Sequence, residues 1–205
     1  MYLIIAMNLL AHLYLSGKDP QVILGNFIAD AVKGRQKHQY APKIQEGIHL
    51  HHTIDTFTDE HPKIRHSTQL LRSKYHMYAG VIVDLTFDHF LANNWDRYTE
   101  MNMDSFINRS YELLLKNYLI LPKRTRKFLP FMIMQNWLKN YINLEGLHQS
   151  LSGLSRRTTF DSGMEFAIDD IKHHYSEMQN DFLDFFPELI AFVRRNPAVL
   201  WYDQE

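Results

Sequence analysis

A chain of 205 residues, 45% hydrophobic and 13% aromatic, can fill one core, and a single domain over residues 1–205 is the simplest division. Its 22 Lys and Arg against 23 Asp and Glu give no basic excess of the kind a general nucleic-acid binder carries, so no nucleic-acid partner is expected. The absence of cysteine rules out disulfides, zinc fingers, iron–sulfur sites and a thiol nucleophile, and a cytoplasmic setting fits it.

The opening MYLIIAMNLLAHLYL is apolar but too short to span a bilayer, so no membrane insertion is expected. It lacks the basic start and small-residue cleavage site of a signal peptide. Met7 is a candidate start, with residues 1–6 an extension. Met7–Leu15 reads as a short helix. Asp19-Pro20 then gives an N-cap followed by proline at the first helical position, and that helix should reach about Lys33, with Gly34 as its stop. Pro42 opens a third helix to about Thr58, and Glu60–Ser73 follows with Pro62 in its first turn. Tyr78–Trp95 and Asp104–Tyr118 come next, the latter capped near Asp104 or Ser105. Lys123–Tyr141, Leu144–Leu154 and Asp161–Arg194 complete the series, with Pro130 and Pro187 expected to kink or split two of them. No segment shows the sustained period-2 alternation of a sheet. The fold expected is all-α, a single-domain helical bundle.

Histidine is concentrated in the first half: nine of the 12 fall between His12 and His89. In Gly47-Ile48-His49-Leu50-His51-His52-Thr53-Ile54-Asp55, wound at about 100° per residue, Leu50, Ile54 and Phe57 gather on a core side. His51 and Asp55 share a neighbouring face, with His52 and Asp59 beside Asp55, while His49 points elsewhere. A His and a carboxylate four apart can reach one metal ion, or one can orient the other. In Val81-Ile82-Val83-Asp84-Leu85-Thr86-Phe87-Asp88-His89, two carboxylates four apart sit in an apolar helix. Like charges so placed repel, and burying them unpaired is costly, so something positive should stand near both. In Gly25-Asn26-Phe27-Ile28-Ala29-Asp30 the spacing of four recurs between Asn26 and Asp30. Taken alone, each segment also reads as structural: a solvated face, an Asp fixing a His, or, for His12, a satisfied core histidine. Three helices each with a carboxylate on an apolar background suggest convergence on one site. Imidazole and carboxylate donors favour Mn, Fe, Mg or Zn over soft copper sites.

These motifs resemble a known family. Met7-Asn8-Leu9-Leu10-Ala11-His12-Leu13 is similar to the amino-terminal signature of the acyl carrier protein phosphodiesterases. Gly25-Asn26-x-x-Ala29-Asp30-x-x-x-Gly34 resembles their second motif, and Gly47-Ile48-His49-x-His51-x-x-Ile54-Asp55, with Thr58-Asp59, Pro62 and Arg65, the third. Asp84-x-x-x-Asp88-His89-Phe90-Leu91 resembles the fourth. Ser152-Gly153-Leu154 with Ser155-Arg156-Arg157, and Phe182-x-x-Phe185-Phe186-Pro187, match weaker signatures.

The resemblance implies a non-standard branch of the helical HD-type phosphohydrolases. It also implies hydrolysis of the phosphodiester joining 4′-phosphopantetheine to a serine of holo acyl carrier protein, with a divalent metal: Mn first, Mg or Fe as alternatives. On that reading Asp30, His51, Asp84 and Asp88 are the metal ligands or their direct supports, with His49 and His89 next in line. Asp55 or a nearby His is the candidate proton acceptor, and His12 or His89 the candidate acid. Asn26, Arg65 and His52 would steady the phosphate; His52 stands where relatives usually carry Arg. The acidic carrier protein calls for a basic surface, for which Lys33, Arg35 and Lys37, next to the second motif, are the preferred docking patch over Lys123, Arg124, Arg126 and Lys127 or the pair Arg156 and Arg157. Two other readings stand beside this one: an HD-type phosphohydrolase acting on a nucleotide, and a non-catalytic helical module that binds an acidic partner.

Overall fold

The computed structural model describes residues 8–202. Met7 and the extension of residues 1–6 lie outside the described residues. Twelve α-helices and several short 3₁₀ turns, with no strand among the described residues, give the all-α fold expected. The helices are α1 (Leu9–Leu15), α2 (Pro20–Ile28), α3 (Pro42–Glu60), α4 (Pro62–Tyr75), α5 (Ala79–Asn93) and α6 (Trp95–Tyr98). They continue as α7 (Met103–Lys116), α8 (Lys123–Met134), α9 (Trp137–Asn140), α10 (Leu144–Ser155), α11 (Ala167–His173) and α12 (Tyr175–Val193). Helix α5 is the central element, buried almost all round, and Phe87 and Phe90 on it meet Phe182 of α12 with ring centroids 5.5 and 5.8 Å apart.

Local chemistry sets most boundaries. Asp19 accepts from the backbone N–H of Gln21 (2.9 Å) and Val22 (3.4 Å), as a cap before Pro20 should. Helix α7 is capped two to three residues earlier than expected, by Asn102, which accepts from Ser105 N at 3.0 Å. Helix α2 ends at Ile28 and tightens into a 3₁₀ turn over Ala29–Ala31. Gly34 does not stop it but opens a second 3₁₀ segment, Gly34–Gln39.

The prolines do not divide the long helices. Pro130 lies inside α8, where its missing N–H leaves the Arg126 carbonyl oxygen without its usual donor; Tyr118 Oη donates to that oxygen instead, at 3.2 Å. Pro187 lies inside α12 on its exposed side. The breaks fall elsewhere. Asn136, at φ 48°, separates α8 from α9, and the Tyr111 hydroxyl fixes the turn by accepting from Leu138 N (3.1 Å) and donating to Asn136 Oδ1 (3.2 Å). His174 separates α11 from α12.

Helices α2 and α3 cross at glycine on glycine. A Cβ on Gly25 would fall on the Ile44 carbonyl oxygen, and one on Gly47 on the Val22 carbonyl oxygen, with the opposite glycine Cα 2.9 Å away in each case. Only hydrogen at both positions lets the two backbones approach this closely. That approach is what sets Asn26 of α2 against His51 of α3. Gly47→Ala is therefore expected to destabilise the fold by roughly 1–3 kcal/mol or more, because the clash is with backbone that cannot swing aside. Chemical denaturation measures it; a loss below about 0.5 kcal/mol would mean the crossing is looser than described.

A candidate metal centre where three helices meet

Helix α1 brings His12, α2 brings Asn26 and (through its 3₁₀ extension) Asp30, and α3 brings His51 and Asp55. His12 and His51 are buried and stacked, with ring centroids 4.2 Å apart and planes inclined by 30°. Buried Asn26 decides which nitrogen of each ring carries the proton. Its Nδ2 donates to the His12 carbonyl oxygen (3.1 Å) and to Ser16 Oγ (2.8 Å), while the Ser16 hydroxyl donates to the same carbonyl (2.7 Å). With its nitrogen committed, Asn26 presents Oδ1 to both imidazoles, 2.8 Å from His12 Nδ1 and 3.0 Å from His51 Nδ1. An amide oxygen only accepts, so both Nδ1 atoms carry hydrogen, and in the neutral rings each Nε2 carries a lone pair.

Both Nε2 atoms face carboxylates. His12 Nε2 is 3.2 Å from Asp55 Oδ1, and His51 Nε2 is 3.2 Å from both Asp55 Oδ2 and Asp30 Oδ1. Buried His12 Nε2 has no hydrogen-bond partner despite the oxygen beside it. Lone pairs facing lone pairs at this separation repel unless something positive lies between them. Protons on the rings satisfy that condition, and so does one divalent ion. Two ligand atoms each about 2.1 Å from an ion stand about 3.0–3.4 Å apart at right or tetrahedral angles, which matches the spacing here. Donor atoms of His12, His51 and Asp55 all lie within 4.8 Å of one another, so these residues fit a metal ion.

Asp84 of α5 borders the cluster. Burial first, then the charges of Asp55, Asp59, Asp88 and Asp30, push its carboxyl well above the usual range, and no hydrogen bond or ion pair from the described residues offsets this. Asp59 is likewise raised, by burial and then by Asp55. A cation held at the cluster relieves both. His52 is exposed beside the cluster, edge-on to His51 at 5.6 Å; partial burial, then the neighbouring His51, lowers its pKa. Arg65, also exposed, donates from Nε to the Asp59 carbonyl oxygen at 3.4 Å. Lys33, Arg35 and Lys37 are exposed on and beside the Gly34–Gln39 segment that follows Asp30.

Three residues read from the sequence as possible ligands are not gathered with His12, His51 and Asp55. His49 points to solvent. Asp88 is fully buried at the foot of α1, accepting from Leu10 N and Ala11 N at 2.9 Å each. His89 sits between the Tyr141 carbonyl oxygen (2.7 Å from Nδ1) and the Tyr175 hydroxyl (2.9 Å from Nε2). Conversely, His12 and Asp55, read as acid and base, stand among the ligand atoms themselves. Ser16, which completes the lock on Asn26, carried one signal in the sequence: a hydroxyl four residues after His12 on an apolar helix.

A family model described as acyl carrier protein phosphodiesterase matches residues 7–189. Among curated proteins, the acyl carrier protein phosphodiesterase of Photorhabdus laumondii is 31% identical over 185 residues, covering 90% of this chain and 93% of the relative. Those of Yersinia enterocolitica and Escherichia coli O157:H7 are each 28% identical, over 90% and 92% of this chain and 96% and 98% of their own lengths. No solved structure matches.

Proposed function

The chain belongs to the acyl carrier protein phosphodiesterase family, enzymes that hydrolyse phosphodiester bonds, and from that premise we propose a metal-dependent reaction on holo acyl carrier protein that releases 4′-phosphopantetheine and apo carrier. The observation that carries the metal is the pair of Nε2 lone pairs turned by Asn26 toward the Asp55 and Asp30 oxygens. His12, His51, Asp55 and Asp30 would hold one divalent ion, Mn first, with Mg or Fe as alternatives, and Asp84 would lend further negative charge from α5. When bound, such an ion supplies Lewis-acid polarisation of a phosphoryl oxygen.

The chain's own groups do the remaining work. Asn26 keeps both rings in the tautomer that presents Nε2, the orientation usually left to an outer-shell partner. Asp55, with its side chain 40% exposed against 26% for Asp30, is the more water-accessible carboxylate of the cluster, and it takes the proton of the attacking water. His52 and Arg65, both exposed and near the cluster, would contact the phosphate, and Lys33, Arg35 and Lys37 would flank the approach. The wider relationship to the helical HD-type phosphohydrolases is part of this proposal and rests on the motif resemblance.

Mass measurement of holo carrier protein, incubated with metal-stripped enzyme with and without Mn, tests this reading. Loss of the phosphopantetheine mass only when Mn is present is the expected result. Equal loss after stripping would remove the metal from the reaction, and no loss in either case would remove the substrate.

A further inference from the structure

A groove of about 1360 Å³ opens between α8 and α10, and neither the cluster above nor the reaction uses it. Its floor reaches Leu9 of α1 and Leu85 of α5, the neighbours of Asn8 and Asp84. Its α8 wall is pinned to α2 by Phe128 against Phe27, centroids 6.1 Å apart, one residue from Asn26. The groove therefore runs beside the elements that build the cluster.

Four cations line it: Arg124 and Lys127 on α8, Arg156 and Arg157 just past α10. None makes an ion pair with a carboxylate of the described residues; Arg157 instead lies over the Trp137 ring at 4.9 Å. Between them Phe128, Phe131, Trp137 and Leu154 form an apolar strip, with Phe131 55% exposed, while polar side chains fill the rest of the lining, including one carboxylate, Glu145, which accepts from Gln149 at 3.2 Å. In a chain with nearly balanced charge, this gathers positive potential around a hydrophobic trough.

Two features decide the occupant. Small-molecule sites commonly span about 300–1,000 Å³, and this groove is larger. Trp137 is already engaged by Arg157 and by Phe128, stacked at 6.1 Å and 3°, so a nucleobase finds little of its face free. A fatty chain alone gives the cations nothing to meet. An amphipathic helix with carboxylates along its edges satisfies both the cations and the trough.

We propose that this groove between α8 and α10 docks an acidic amphipathic helix of the carrier protein substrate. The inference rests on the reaction proposed above, for which it supplies the main grip. It moves docking away from Lys33, Arg35 and Lys37, which are exposed on a 3₁₀ segment and do not line this groove. Those three remain flanking contacts.

The test is the affinity for labelled apo carrier protein, which cannot be cleaved, by fluorescence anisotropy at low and high salt. Lys127→Glu with Arg156→Glu, both exposed, is expected to raise Kd roughly tenfold or more at low salt, with the gap closing as salt screens it. Phe131→Ala should raise Kd about threefold at either salt. On holo carrier, KM should follow Kd while kcat at saturation stays within about threefold. Variants that bind within about twofold of wild type, or a larger loss from Lys33→Glu with Lys37→Glu, would overturn the groove. Wild-type protein that binds carrier but leaves the holo form intact sinks the proposed reaction and not the groove. Wild-type protein that cleaves, with groove variants that bind as tightly, sinks the groove and not the reaction.

Discussion

Replacing His51 with alanine is expected to abolish tight divalent metal binding and to lower turnover of holo carrier protein by more than about 100-fold, the upper range for losing an outer-shell partner alone. His51 is the hub of the cluster. Its Nε2 is within 3.2 Å of both Asp30 and Asp55, its Nδ1 faces Asn26, and its ring stacks on His12. Removing it takes away one proposed ligand and the support of two others. The ring is buried, so the variant also loses some stability, and activity alone would not separate a ligand from a packing residue. Thermal unfolding with and without Mn does so. An ion that binds only the folded state at 100 times its Kd raises stability by about 2.7 kcal/mol. Wild type should show that shift and His51→Ala should not. Asp55→Asn, at a half-exposed carboxylate, should lose the same shift with little change in the metal-free protein. A full Mn-dependent shift in either variant would place the ion elsewhere.

The sequence made helices, and the segments holding the polar groups, legible because apolar spacing and caps are local. Asp19-Pro20 and Pro42 marked their helix starts for that reason. What it hid was long-range. Nothing within α8 foretells that Tyr118 will satisfy the carbonyl that Pro130 abandons, or that Tyr111 will hold Asn136 in a left-handed turn. The cluster divides in the same way. Spacing put His51 and Asp55 on one face, but it could not tell that the glycine crossing of α2 and α3 would set Asn26 between two imidazoles. Nor could it separate Asp84 from Asp88. Four apart on one helix they look alike, yet one borders the acidic cluster and the other grips the backbone of α1.

That difference between the two aspartates yields the second large effect. Asp88→Ala is expected to destabilise the protein by roughly 2–4 kcal/mol, because it leaves the N–H groups of Leu10 and Ala11 without acceptors, one of them in a buried bond. Asp88→Asn retains one acceptor oxygen but turns an NH₂ toward the other donor, so it should recover only part of the loss. Burial pushes Asp88 up to about 8, against the pull of its two backbone donors. The folded state therefore holds this proton through the interval from about 4 to about 8 where the unfolded chain has released it. Its contribution to stability is full below about 4 and declines as pH rises to about 8. Asp88→Asn should flatten that decline in denaturation of the metal-free protein. Metal affinity is the other half of the test. If Asp88 holds α1 rather than the ion, the two variants lower the unfolding midpoint while the Mn-dependent shift persists in whatever protein remains folded. Loss of the shift with little loss of stability would instead make Asp88 a ligand and return it to the cluster beside Asp84.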